Sequence, residues 1–249
     1  MALKLGEQAL AKTVGRVDGG VRGALGRVLV LGATSGIGRA LVLVLRAAGI
    51  EVVGAGRRRA LLESLGGETL VLDVTAADAI ERIAGVGADT VIFNAGFGER
   101  SAEPDWGLTE RALGVNVLAF ERVAQWAAGR GACRRFVAVA SIAGIRGLEN
   151  TNGYSASKAY MLNAMEGYRR RWRLQRVGAE PIVVVPGFVD TVMGQASTFW
   201  RCSPEVAACC ILKGLQRGRA VIYVTGRWRW MALLLRFVPR GLFERIRLK

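Results

Sequence analysis

From residue 27 onward, the hydrophobic and polar positions fall into a repeated alternation of short apolar runs and longer amphipathic stretches. "RVLVLG", "IEVVGAG", "ETLVLDV", "ADTVIFNAG", "CRRFVAVAS", "EPIVVVPG" and "RAVIYVTG" are short, rich in Val, Ile and Leu, and bounded by Gly or Pro. Such runs predict strands buried on both faces. Between them lie stretches of helical length: "GRALVLVLRAAG", stopped by Gly49; the short "RRRALLESLGG"; "AADAIERIAGVG"; and a long helix through "TERALGVNVLAFERVAQWAAGRG". "YSASKAYMLNAMEGYRRRWRLQRVG" and "SPEVAACCILKGLQRG" follow, the latter with Ser203 as N-cap, Pro204 at the first helical position and Gly218 as stop. Strands alternating with helices imply a parallel sheet covered on both sides.

The expected fold is therefore α/β: a single-domain, Rossmann-type doubly wound parallel sheet of about seven strands, spanning about 27 to 227. Residues 1–26, Gly-rich and weakly patterned, read as an extension that is mobile or loosely docked. Residues 228–249 form a basic amphipathic segment, "WRWMALLLRFVPRGLFERIRLK".

Composition sharpens this picture in two ways. Lys and Arg number 35 against 20 Asp and Glu, a net charge of +15, which favours anionic partners: nucleic acid, an anionic lipid surface or a phosphorylated cofactor. The chain contains no histidine, so acid-base chemistry near neutral pH requires some other side chain with a displaced pKa. The four cysteines, Cys133, Cys202, Cys209 and Cys210, lack metal-ligand spacing and read as reduced thiols of a cytoplasmic protein, with no metal expected. The N-terminus has no secretory h-region, and no run reaches the length of a membrane span.

The candidate chemistry sits at the ends of the predicted strands. "GATSGIG", including Gly32, Thr34, Ser35, Gly36, Ile37 and Gly38, joins the first strand to the first helix, where glycines and a helix N-terminus suit a pyrophosphate. After the second strand the chain reads "GAGRRR", with no carboxylate for a ribose 2′-OH. Arg57 and Arg58 there offer cationic forks for a 2′-phosphate, favouring NADP(H) over NAD(H). Asp73, with Val74 beside it, lies one strand too late for the ribose and suits the adenine pocket. "FNAG" ends the fourth strand, its Asn94 placed to bond across the sheet.

"GYSASKAY" places Tyr154 and Lys158 four residues apart on one helix face. A neighbouring ammonium is expected to pull the phenol pKa down from about 10. Tyr154 then exchanges a proton with a carbonyl or alcohol oxygen, Ser141 bonds the same oxygen, and the small residues Ser155, Ala156 and Ser157 leave room for a nicotinamide ring. Taken singly, a Tyr and Lys at this spacing are more often a helix-surface pair.

With Gly32 to Gly38, Asn94, Ser141, Tyr154 and Lys158 in this order, the chain resembles the short-chain dehydrogenase/reductase family from Arg27 to about Thr225. Leu31-Gly32 replaces the family's usual Thr-Gly, a departure of little consequence where backbone does the binding. The resemblance assigns catalytic roles to Asn116, Ser141, Tyr154 and Lys158, with Asn116 holding a water that relays protons toward Lys158. It assigns cofactor contacts to Asn94, Ala95 and Gly96, to Tyr154 and Lys158, and to Pro186, Gly187, Val189 and Thr191 in "PGFVDT". It implies a homodimer or homotetramer through two long helices, at about 103 to 129 and 153 to 177.

Substrate contacts are expected from Ser141, Ile142 and Phe97, and from Met193, Phe199 and Trp200 in a lid after Thr191, favouring an apolar carbonyl or alcohol substrate over a sugar. The same aromatics would also serve core or subunit packing. The C-terminal segment is open to two readings, an arginine-rich helix lying on an anionic membrane surface or one docked on its own domain or a second subunit. A competing function class is a non-catalytic dinucleotide sensor or a basic nucleic-acid- or membrane-binding module. Without any motif for reading bases, no specific nucleic acid is expected as a partner.

Overall fold

The computed structural model describes residues 25–129, 131–191 and 199–245. These residues form a seven-stranded sheet of order β3-β2-β1-β4-β5-β6-β7, every pairing parallel. The strands are β1 (Val28–Leu31), β2 (Val52–Gly56), β3 (Thr69–Val71), β4 (Thr90–Phe93), β5 (Arg135–Val139), β6 (Glu180–Pro186) and β7 (Val221–Val224). Helices α1 (Gly36–Ala47), α2 (Arg59–Glu63), α3 (Ala79–Gly85), α4 (Trp106–Leu113), α5 (Phe120–Ala127), α6 (Tyr154–Leu174) and α7 (Pro204–Gln216) alternate with them. The chain closes with α8 (Arg227–Phe237) and α9 (Arg240–Phe243).

The period of two along each strand sorts side chains into two cores. Val28 and Val30 of β1 pack with Leu41 and Leu45 of α1 and with Ile211 and Leu212 of α7. Leu29 and Leu31 pack on the opposite face with Phe120 and Val123 of α5, Met161 and Met165 of α6, and Trp172. Phe120 anchors that second layer, its ring 5.7 Å from Phe93 and 5.9 Å from Phe136. A sheet covered on both faces explains why the strands read as continuous apolar runs rather than as alternation.

Three boundaries differ from expectation. β3 is only three residues long, because after Val71 the chain turns: Asp73 Oδ1 accepts from the Thr75 backbone N–H at 2.9 Å and from its hydroxyl at 2.7 Å. The long helix expected across 109–131 is two helices joined by a π-helical segment, Gly114–Ala119. One extra residue per turn there aims Asn116 inward. Leu25 and Gly26, expected to be loosely attached, are docked: Leu25 is buried, its carbonyl accepting from Thr90 Oγ1 at 2.7 Å, and Gly26 packs on Asp89. Residues 1–24 lie outside the described residues. As expected, α7 begins with Ser203 Oγ accepting from Val206 N, at 3.3 Å, and Pro204 at the first position.

What matters for function is the common level at which the strands end. Leu31 pairs with Phe93 and Phe93 with Ala138, so β1, β4 and β5 finish side by side. Because β1 lies between β2 and β4, its crossovers leave in opposite directions and open a crevice at that edge.

Candidate active site

The turn after β1 has a shape that only glycine permits. Gly32 has φ +87°, and a Cβ on it would lie 2.7 Å from Ala95 N and Cα. A Cβ on Gly38 would lie 2.1 Å from the Gly32 carbonyl oxygen. Asn94 Nδ2 donates to that same oxygen at 2.9 Å, so the expected bond across the sheet joins the end of β4 to the turn. Ser35 places no side chain over the first turn of α1, which leaves the backbone N–H groups of that turn for another acceptor. Gly36 has φ +52°, and a Cβ there would meet Thr191 Cγ2 at 2.8 Å, so the "PGFVDT" segment closes over the glycine turn. This cradle, floored by backbone and bordered by Ala95 and Thr191, fits a dinucleotide pyrophosphate.

At the end of β2, Arg58 donates through Nε and Nη2 to Thr34 Oγ1, at 3.2 and 2.7 Å. Arg57 sits 3.8 Å from Asp73 in an exposed ion pair. Burial pushes the Asp73 carboxyl upward, but the Thr75 hydrogen bonds and Arg57 outweigh it and hold the group below the ordinary carboxylate value. Asp73 is thus an ionised group already engaged by its neighbours, and buried Val74 stands next to it. The arginine forks are the cations at this edge.

On the other side of the crevice, Ser141 follows β5 and Tyr154 opens α6. Their side chains are near enough for the Ser141 hydroxyl to oppose the rise that burial gives the Tyr154 pKa. Ser141 Oγ accepts from Ala143 N at 3.1 Å, which leaves its own proton to donate elsewhere. The Tyr154 ring, partly exposed, lies against Gly98: a Cβ on Gly98 would come within 2.3 Å of it. Lys158 is 4 % exposed. Its Nζ donates to the Val139 carbonyl at 3.0 Å and to Met161 Sδ at 3.5 Å, and it lies 5.8 Å from the centre of the Tyr154 ring. A Cβ on Gly96 would be 3.5 Å from this amine, so the "NAG" turn is its lid.

The electrostatics depart from the expectation that Lys158 lowers the phenol. Burial raises the Tyr154 pKa, and the hydrogen bond from Ser141, not the lysine charge, is what opposes the rise. The amine itself responds most, since burial pulls it from 10.5 down to about 8. Three neighbouring side chains are tied down by hydrogen bonds. The Asn116 side chain is held by backbone and by α6: Oδ1 accepts from Phe97 N at 2.9 Å, and Nδ2 donates to Phe97 O at 2.7 Å and to Ser157 Oγ at 2.9 Å. It positions the "NAG" turn against α6. Ser155 and Ser157 are buried tethers; Ser155 Oγ lies 2.7 Å from the Ala143 carbonyl and 2.8 Å from the Arg146 carbonyl, its single proton shared between them.

The expected substrate residues divide. Ile142 packs with Trp228 and Ala232 of α8, joined by Phe188. The Phe199 ring stacks on Trp200 at 4.6 Å, and both stand edge-on to Trp228, at 6.1 and 5.8 Å. Phe97 lies apart from this group, with Arg111 over its ring at 4.1 Å. Met193 lies outside the described residues. Pro186 ends β6, and Gly187 must be glycine because a Cβ would strike the Trp228 indole at 1.9 Å. Val189 is buried and bridges Cys202, bringing the chain after the 192–198 segment back to the cleft. Trp228 is the residue that sequence reasoning missed. Assigned to the C-terminal segment, it instead forms the centre of an aromatic wall beside Ser141 and Gly187.

A parallel seven-stranded sheet, a glycine cradle at its first crossover and a Ser-Tyr-Lys cluster across the crevice describe a dinucleotide-dependent oxidoreductase. Comparison with known proteins agrees. Residues 26–201 match the family model of the short chain dehydrogenases. An uncharacterized oxidoreductase of Myxococcus xanthus is 31 % identical over 239 residues, covering 87 % of this chain and 94 % of that protein. L-xylulose reductase of Bos taurus is 34 % identical over 189 residues, 69 % of this chain and 75 % of the relative. Among solved structures, a short chain dehydrogenase from Burkholderia cenocepacia in complex with NADP superposes with a TM-score of 0.74 at 23 % identity, covering 91 % of this chain and 99 % of the other. The chain belongs to the short-chain dehydrogenase/reductase family.

The buried amine makes stability depend on pH in a stated direction. Below about pH 8 Lys158 is protonated in both the folded and the unfolded chain, so the burial penalty opposes folding in full. It is relieved as pH rises from about 8 toward 10.5, where the unfolded-state amine also loses its proton. Relative to Lys158→Met, wild type should gain on the order of 3 kcal/mol of unfolding free energy between about pH 7 and 10.5. Urea unfolding of both proteins across that range measures it; a constant difference would show that the amine is not desolvated.

Proposed function

We propose that the protein transfers hydride between NADP(H) and an apolar carbonyl/alcohol pair, with Tyr154 as the general acid and base. The observation that carries this reading is the convergence of Ser141, Tyr154 and a buried Lys158 at the strand ends that also carry the glycine cradle.

When bound, the nicotinamide supplies or accepts the hydride. The chain does the rest. The turn from Gly32 to Gly38 and the first N–H groups of α1 hold the pyrophosphate. Arg57 and Arg58 hold the 2′-phosphate, which accounts for two adjacent arginines where an NAD-binding site presents a carboxylate. Solved structures of this fold from Burkholderia cenocepacia and Sphingobium yanoikuyae hold NADP and NADPH, which supports a nicotinamide dinucleotide as the cofactor.

Ser141 donates to the substrate oxygen and fixes it next to the phenol. In the reductive direction Tyr154 delivers its proton to that oxygen; a phenol held neutral by burial is suited to donating. Lys158, with a pKa of about 8, then lies within reach of changing charge near neutral pH and stabilises the phenolate left behind. Asn116 holds Phe97 and α6 in register, keeping Gly96 over the amine.

The wall of Ile142, Phe188, Phe199, Trp200 and Trp228 favours an apolar substrate. Exposed apolar side chains on the two long helical stretches, Trp106, Leu118 and Leu174, support assembly as a homodimer or homotetramer.

NADPH oxidation followed with apolar ketones and aldehydes tests the reading. Tyr154→Phe should lower turnover by about 10²- to 10⁴-fold while binding NADPH as wild type does; turnover equal to wild type would remove Tyr154 from the chemistry. Arg58→Ala should weaken NADPH binding by about tenfold or more and leave NADH binding unchanged. An equal effect on both cofactors would show that Arg58 does not read the 2′-phosphate.

A further inference from the structure

The α8 helix carries two apolar stripes, not one. Trp228, Met231, Ala232 and Leu235, at positions i, i+3, i+4 and i+7, face the protein and close the aromatic wall. Trp230, Leu233, Leu234 and Phe237 repeat that spacing on another face and are 68, 46, 59 and 77 % exposed. Leu242 of α9, 55 % exposed, extends the second stripe. A helix apolar on both sides is normally buried on both. Here no described residue covers the second stripe.

The side chains around it are basic. Arg229, Arg236, Arg240 and Arg245 are exposed, and Glu244 is the sole acidic residue from 227 to 249. The segment is also held firmly to the body. Arg146 donates to the Val238 carbonyl and covers the Phe243 ring at 4.9 Å, while Arg227 covers Trp200 at 5.1 Å.

We propose that this outer face docks on an anionic membrane surface, with Trp230, Leu233, Leu234 and Phe237 entering the headgroup boundary and the arginines meeting lipid phosphates. A second copy of the chain is the poorer occupant. A symmetric pairing would set this arginine cluster against its own image, in a protein whose net charge is already +15. A bilayer bearing anionic headgroups offers opposite charge and hydrocarbon in one surface, as this face requires. An 11-residue helix lies on such a surface and does not cross it, and no helix among the described residues is long and apolar enough to span a membrane. The inference stands apart from the reductase reading, and its readout does not involve turnover.

Flotation of the full-length protein with phosphatidylcholine vesicles, with and without phosphatidylserine, tests it. Wild type should float with the anionic vesicles, be released by high salt, and stay unbound with phosphatidylcholine alone. The triple variant Trp230→Ser, Leu234→Ser, Phe237→Ser leaves the inner stripe intact and should lose at least about tenfold in bound fraction. Near-ultraviolet circular dichroism reports whether the Trp228 wall survives. Should that variant fail to fold, Arg236→Glu combined with Arg240→Glu removes the charge alone and should lose about tenfold as well. Equal flotation of wild type and a folded variant, or failure of wild type to float, would overturn the proposal. So would a change of light-scattering mass in the variant without any flotation of wild type, which would assign the face to a second copy.

Discussion

Everything at the strand ends is arranged around one amine taken out of water. Lys158 projects from the first turns of α6 into a space floored by the Val139 carbonyl and closed by Gly96, with Met161 Sδ and the Tyr154 ring as further neighbours. A primary amine in such surroundings gives up its charge more readily than one in solvent. Keeping it there requires a turn tight enough to form the lid, and that turn is held by Asn116 from one side and by Asn94 from the other. The π-helical segment, which would be a defect in an ordinary helix, is the device that lets Asn116 reach Phe97 and Ser157 together.

The same geometry links the two halves of the cleft. Asn94 donates to the Gly32 carbonyl, so the strand end that covers the amine also shapes the glycine cradle. Thr191 meets Gly36 from the far side, and Gly187 receives the Trp228 indole. Cofactor cradle, proton-transfer pair and apolar wall are thus neighbours because three strands end at one level and glycines allow the loops to close over them. The C-terminal helix belongs to this arrangement through its inner stripe, although its arginines and outer stripe face away from the chemistry.

Much of this was legible in the sequence. Apolar runs of fixed length between Gly-bounded helices predicted the parallel sheet, and the order of Gly32 to Gly38, Asn94, Ser141, Tyr154 and Lys158 predicted the crevice. What could not be read was direction and distance. Spacing of four placed Lys158 and Tyr154 on one helix face, but did not show that the amine turns to the Val139 carbonyl and that burial governs both groups. Nothing in "GVNVLAF" signals an extra residue per turn, so the grip of the Asn116 amide on Phe97 was not legible. Trp228 escaped notice because its partners, Gly187, Phe188 and Ile142, lie about 40 to 90 residues away in sequence, and only the return of β7 beside β6 brings them together.

The most direct test is the titration of the lysine side chains by nuclear magnetic resonance in the unliganded protein, with Lys158→Met identifying the signal. The account predicts one resonance titrating near 8 and absent from the variant, against ordinary values near 10.5 for solvated lysines. A Lys158 signal titrating at or above 10.5 would place the amine in water and contradict the buried arrangement on which the site depends.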